Sequence, residues 1–235
     1  MLPRAEKIYG GHSKTVHNDA SVVDDLVALA LRGLPSMYLS SSGQVVQTVR
    51  GVRSPEGPRL VGEGTSLRYA AIVALGLNRC AEASQRQVLA GATAAELMAM
   101  VSRRAVSSND AGAVALAAWA VAETELRYDA SLFGILRAHL GSGRALPTVD
   151  VAWMLTAAVA ARFWGPSDDV ATRARDLLLT HQGPRGLFPH ALPPEALGRI
   201  RAHVGCFADE VYPIQALARY GAANADSTSL AAANR

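Results

Sequence analysis

Cysteine is nearly absent from this chain. Cys80 and Cys206 are the only two in 235 residues, too few and too far apart for a disulfide framework or a zinc knuckle, and they suit a reducing cytosol. Aromatic residues are scarce, at 6%, and charged residues make up only 18%. The net charge is a modest +3, supplied almost wholly by arginine. With no dense basic patch interleaved with aromatics, nucleic acid is not an expected partner. Long hydrophobic runs are missing too. The longest uncharged apolar stretch, Ala111 to Ala122, falls well short of the roughly 20 residues that cross a bilayer. The N-terminal MLPRAEKIYGGHSKTVHND carries no apolar segment of the kind a secretory signal needs. These absences predict a soluble, cytoplasmic protein without a membrane span.

What the chain has in abundance is alanine, within a composition that is half apolar. Alanine has the best helix propensity and lets helix axes approach closely, so an all-α, tightly packed protein is expected. Two parts are predicted. Residues 1–64 comprise a loose polar arm (1–17), a helix over SVVDDLVALALRG capped by Asn18 or Asp19, and a short β-hairpin over SMYLSSSGQVVQTVRGVRS. The Pro/Gly-rich SPEGPRLVGEG reads as punctuation. Residues 65–235 form a helical domain.

Within that domain two kinds of segment alternate. TSLRYAAIVALGLN, SNDAGAVALAAWAVAET and PTVDVAWMLTAAVAAR are apolar nearly all round. QRQVLAGATAAELMAMVSRR, YDASLFGILRAHLG and SDDVATRARDLLLTHQ carry one apolar stripe. Helices apolar all round are buried and one-stripe helices lie outside, so the chain predicts inner and outer helices joined as αα-hairpins. PIQALARYG opens a fourth inner helix at Pro213, a residue suited to a first helical position. The inner helices begin about 40 residues apart, a spacing typical of repeat architectures.

The alternation, the DVAWMLTAAVAAR helix and the LLLTHQGPRGLFPH segment resemble the α/α-toroid proteins: six-hairpin glycosidases, sugar epimerases, and the terpenoid cyclase and prenyltransferase group. HQGPRGLFP is similar to the Q-x-x-x-G-x-[FW] loops that end outer helices in the cyclase-type repeats. The resemblance covers about residues 65 to 235 and implies a partial α/α toroid with a small-molecule ligand in its central cavity. Three complete hairpins and a start are fewer than a closed ring has. DSTSLAAANR reads as a new helix, capped by Ser227 or Thr228 and cut off. The resulting open C-terminal edge is expected to pair poorly and to favour self-association or a partner chain.

Polar residues recur at one address, the entrances of the inner helices. Asp110, Asp150 and the pair Asp209–Glu210 stand there, and Arg68 stands beside Tyr69. A cap-type residue followed three positions later by an aromatic occurs as Ser66/Tyr69, Asp150/Trp153 and Asp209/Tyr212; Ala113 breaks the pattern in the second hairpin. Helix capping accounts for the polar residues but leaves the aromatics unexplained. Carboxylates among flat rings are what sugar chemistry requires, one acid donating to the leaving oxygen and another acting as base or nucleophile. The leading expectation is therefore a carbohydrate-active hydrolase or isomerase, or an inactive relative. Asp209, Glu210 and Asp150 would be catalytic, with Tyr212, Trp153, Tyr69, Arg68, His190 and Asp110 binding substrate. The alternatives are an isoprenoid-handling relative of the cyclase repeats and a non-catalytic scaffold whose acids are all caps. A polar cavity favours sugar and an apolar one favours isoprenoid. Trp119 is expected in the core. His203-x-x-Cys206-x-x-Asp209 has metal-ligating residue types in a spacing that matches no zinc signature, so neither metal nor cofactor is expected.

Overall fold

The structure is a computed structural model that describes residues 19–193 and 206–235. The predicted arm over residues 1–17, the cap at Asn18 and His203 lie outside these. Ten α-helices and a small antiparallel sheet make up the described chain. Helix α1 (Asp19–Gly33) leads through a single 3₁₀ turn to strands β1 (Tyr38–Leu39), β2 (Gln44–Ser54) and β3 (Gly57–Thr65), paired in that order. The predicted hairpin is thus a three-stranded sheet. The Ser41-Ser42-Gly43 turn joins β1 to β2, while the stretch read as punctuation forms β3. Its glycines and prolines did not stop it from pairing because β3 is an edge strand, where a missing N–H or side chain is tolerated.

The helical part consists of α2 (Leu67–Leu77), α3 (Glu82–Val88), α4 (Ala94–Ala105), α5 (Ala111–Thr124), α6 (Ala130–Gly141), α7 (Thr148–Ala161), α8 (Asp168–His181), α9 (Phe207–Asn224) and α10 (Ser227–Ala233). A two-residue ladder, β4 (Leu146–Pro147) with β5 (Ala191–Leu192), ties the start of α7 to the segment after α8. Helices α2, α5, α7 and α9 pack side by side in chain order. Behind them, α4 lies against α2 and α5, α6 against α5, α8 against α7, and α10 against α9 and α8. The centre is the α5–α7 pair. Every residue of α5 from Ala111 to Ala118 is buried, as is every residue of α7 from Asp150 to Val159. Nearly all are small or aliphatic, so the two backbones approach closely while keeping native packing density. The outer helices bury a single stripe each: Leu97, Met98 and Val101 on α4, Leu132, Phe133 and Leu136 on α6, and Val170, Ala174 and Leu178 on α8.

Several expectations need correction. The single amphipathic helix read over 85–104 is two, α3 and α4, broken where Ala90 and Gly91 take positive φ. The break is enforced by a new start: Thr93 and Glu96 form a reciprocal capping box at the head of α4. The first and fourth inner helices are only half buried, since among the described residues each has an inner neighbour on one side alone. Helix α9 begins at Phe207, six residues before the expected start at Pro213, so the stretch ahead of the proline is already helical. Cys206 acts as N-cap, with the Asp209 carboxylate accepting its N–H at 2.9 Å. This reciprocal start nucleates the helix upstream of the proline, which then forgoes one backbone bond inside it.

The chain end is also better packed than expected. Asp226, rather than Ser227 or Thr228, caps α10, accepting from the Thr228 N–H at 3.0 Å and the Ser229 hydroxyl at 2.8 Å. Ser229 and Ala232 are buried, and Gly221 of α9 lets Leu230 seat directly on its backbone. Gln182 reaches across to the Ala232 carbonyl at 2.9 Å and holds the Gly186 carbonyl at 3.1 Å. The Q-x-x-x-G-x-F segment is therefore a staple for this end, with Phe188 as its buried anchor. No helix among the described residues is long and apolar enough to cross a membrane.

Candidate functional site

Three of the polar residues singled out in the sequence meet in one cluster. The Arg68 guanidinium lies between two carboxylates. Nη1 donates to Asp150 Oδ1 at 2.7 Å and Nη2 to Asp150 Oδ2 at 3.0 Å, while Nε donates to Asp110 Oδ2 at 2.8 Å. Asp110 also caps α5 by accepting from the Gly112 and Ala113 N–H groups. Because these residues open α2, α5 and α7, the three helices run parallel with their N-termini together. Burial pushes the Asp150 carboxyl above the usual aspartate range in spite of Arg68. At Asp110 burial acts in the same direction, but the Arg68 hydrogen bond and the two backbone donors outweigh it and hold the carboxyl below that range. Burial opposes the arginine's charge as well, yet the carboxylates prevail and raise its pKa further. Gly112 makes the cluster possible, because a Cβ there would fall on the Asp150 carboxylate and the Arg68 guanidinium.

Beyond the cluster lies a groove of about 320 Å³, bounded by Ile72, Leu75 and Gly76 of α2, Leu116 and Trp119 of α5, Trp153 of α7 and Tyr212 of α9. Its walls are overwhelmingly apolar. Trp153 and Tyr212 meet edge to face, ring centroids 5.2 Å apart, and Arg68 covers the Trp153 ring at 5.3 Å. At the opposite end Glu123 gathers three donors: Trp119 Nε1 at 2.8 Å, Arg219 at 2.6 Å and Arg79 at 2.9 Å. Burial works against the Glu123 charge, but these donors outweigh it and hold the carboxyl below its usual range. Trp119, expected in the core, is instead a groove wall oriented by its bond to Glu123.

The head of α9 forms the third feature. Asp209 is fully buried, and its Oδ2 takes the Cys206 N–H and lies 3.0 Å from His190 Nδ1. Burial disfavours the Asp209 charge, but those partners hold its carboxyl below the usual range. Glu210 accepts the Phe188 N–H at 3.2 Å. Burial, with a smaller push from Asp209, raises its carboxyl. His190 is exposed, and it is placed by backbone bonds on either side: Thr148 N–H to the His190 carbonyl at 2.9 Å, and the Thr148 hydroxyl to the Pro189 carbonyl.

The residues proposed from sequence thus fall into two groups: Arg68, Asp110, Asp150 and Trp153 at one place, and His190, Asp209 and Glu210 at another. Tyr212 links them through its contact with Trp153. Tyr69 joins neither; it is 45% exposed and its N–H serves the Ser66 cap. Sequence reading missed Glu123, Arg79 and Arg219. The Trp119/Glu123 spacing of four marks one helix face, but nothing in sequence brings Arg79 and Arg219 to it. No protein-family model, curated protein or solved structure matches this chain.

Proposed function

We propose that the chain is a partial α/α toroid, an open arc of four αα-hairpins, whose inner face binds a small apolar molecule of isoprenoid type between Trp119, Trp153 and Tyr212. The four parallel inner helices with outer partners support the architecture. The character of the groove wall carries the choice of ligand. Aliphatic side chains from α2 and α5 face two tryptophans and a tyrosine, a surface that favours hydrocarbon over a polyhydroxyl ring. Asp150, expected to be catalytic on sugar, and Asp110, expected to bind it, are both held by Arg68. The carbohydrate reading keeps one supporting feature, Glu210, whose raised carboxyl has the character of a general acid.

Trp119 and Trp153 line the groove, whereas Trp164 is exposed elsewhere. In a Trp164→Phe background, intrinsic fluorescence therefore reports the groove. Saturable quenching by geraniol or farnesol, and none by glucose or glucuronate, is the expected result. Quenching by the sugars alone would return the assignment to carbohydrate. A response to neither would favour the scaffold.

A further inference from the structure

The head of α9 has a property that neither the groove nor helix capping uses. Ligand atoms of His190, Cys206 and Asp209 lie within 4.8 Å of one another. Asp209 is fully buried, yet only one of its carboxylate oxygens is engaged; Oδ1 has no hydrogen-bond partner among the described residues. A buried carboxylate oxygen without a donor is costly, and native structures supply such atoms with a proton donor or a cation. Among the described residues, Arg68 and Arg219 are already paired with Asp110, Asp150 and Glu123.

We propose that His190, Cys206 and Asp209 form a binding site for one divalent, borderline-soft metal ion, zinc being the natural occupant. An imidazole, a thiolate and a carboxylate are the donor set zinc accepts, at about 2.0–2.3 Å each. Two ligands of a tetrahedral zinc stand about 3.3 Å apart on those bond lengths. The present 3.0 Å between His190 Nδ1 and Asp209 Oδ2 therefore needs to open only slightly, with the ion replacing the shared proton, which passes to Nε2 of the neutral imidazole. Cys206 is exposed, and turning its side chain inward brings in the third ligand.

The surroundings hold the donors in place before any ion arrives. The Thr148 N–H and hydroxyl hold the backbone at His190 and Pro189, and the N-cap geometry of α9 holds the Cys206 backbone against Asp209. A zinc ion with one thiolate and one carboxylate forms a neutral unit, which reduces the cost of burying Asp209. Binding transfers the Cys206 thiol proton to solvent as the Zn–S bond forms, so affinity rises with pH. Three protein ligands leave one position open, as in zinc sites that bind water or substrate. Tyr212, one helical turn beyond Asp209, carries that position to the edge of the groove. The metal site nevertheless stands independently of what the groove holds.

The test uses the untagged full chain stripped with a chelator. Zinc is added in competition with a chromogenic indicator, and cobalt serves as a spectroscopic probe. One equivalent of zinc is expected, with a sulfur-to-cobalt charge-transfer band in the near ultraviolet. Cys206→Ser and His190→Ala, both at exposed positions, should each weaken zinc at least as much as the 10–100-fold typical of losing a supporting partner. Cys206→Ser should also abolish the band, whereas Cys80→Ser should change neither. Asp209→Asn should weaken binding while keeping the helix start, since an amide oxygen at that position can still accept the Cys206 N–H. Substoichiometric zinc, or Cys206→Ser binding zinc like the parent, would overturn the assignment.

Discussion

Arg68 and Gly112 set one tolerance of this molecule at the scale of single residues. In isolation, replacing a helical glycine by alanine stabilises a helix by roughly 0.8–1.0 kcal/mol. At Gly112 the new methyl would meet the Arg68–Asp150 pair, and overpacking of this kind costs about 1–3 kcal/mol. The collision should win, so Gly112→Ala is expected to melt earlier than the parent in a thermal scan. Glu123 gives a pH-dependent counterpart. Its folded-state carboxyl is held below the ordinary glutamate value, so its contribution is complete above the unfolded pKa of about 4.3 and is lost as pH falls through the folded value. Glu123→Gln should therefore be less stable than the parent at neutral pH, by about 1 kcal/mol once solvent screening is allowed for. The gap in melting temperature should close on acidification below about pH 4. A gap independent of pH would show that the amide loses shape rather than charge.

Among the elements, α3 and α4 show what periodicity hides. Their apolar stripe runs through 85–104 with little interruption, so the pattern alone reads as one helix. The break is written in Thr93 and Glu96, whose reciprocal bonds at 3.2 Å and 2.7 Å start α4 afresh. Thr93→Ala should cost about 0.5–2 kcal/mol, the usual worth of such a cap, measurable by urea unfolding; an unchanged midpoint would remove the cap from the account. The same blindness explains the error at α9. Pro213 is a local signal for a helix start, but Asp209 bonding back to Cys206 is a stronger one and lies upstream. The full burial of α5 and α7 was legible because burial on all sides demands uniformly apolar sequence, whereas α2, equally apolar, is only half buried. Which polar groups converge was not legible, since Arg68 meets Asp150 across 82 positions of chain. Likewise His190, taken from sequence as a substrate contact, is joined to Asp209 through tertiary placement alone.

For the molecule as a whole, groove and core can be separated experimentally. Gly76 lies on the groove wall, and a Cβ there would touch nothing within 4 Å. Gly76→Leu should keep or raise the melting temperature through its better helix propensity. The larger side chain should fill part of the groove and weaken ligand binding at least tenfold. Weakened binding with intact stability would place the ligand between α2 and Trp153, and unchanged binding would remove it from there. Apolar surface is displayed at two places: Phe207, Val211 and Ile214 of α9 with Leu230 of α10 are exposed, and Val23, Leu26 and Leu29 of α1 are more than half exposed.

The parallel run of α2, α5, α7 and α9 has an electrostatic consequence. In an up-and-down bundle neighbouring helix dipoles cancel; here four point the same way, each with about half a positive charge at its N-terminus. Asp110, Asp150, Asp209 and Glu210 all stand at that end, whereas Arg79 and Arg219 stand toward the other. Acids at the entrances of α5, α7 and α9 suit aligned dipoles, whichever of them also serves a ligand or an ion, whereas α2 brings Arg68, which Asp110 and Asp150 neutralise. The outer helices of the hairpins run back behind them and offset part of this field, so what acts along the groove is a fraction of the four dipoles. An elongated guest with one electron-rich end would have a preferred direction of entry even where every side chain touching it is hydrocarbon.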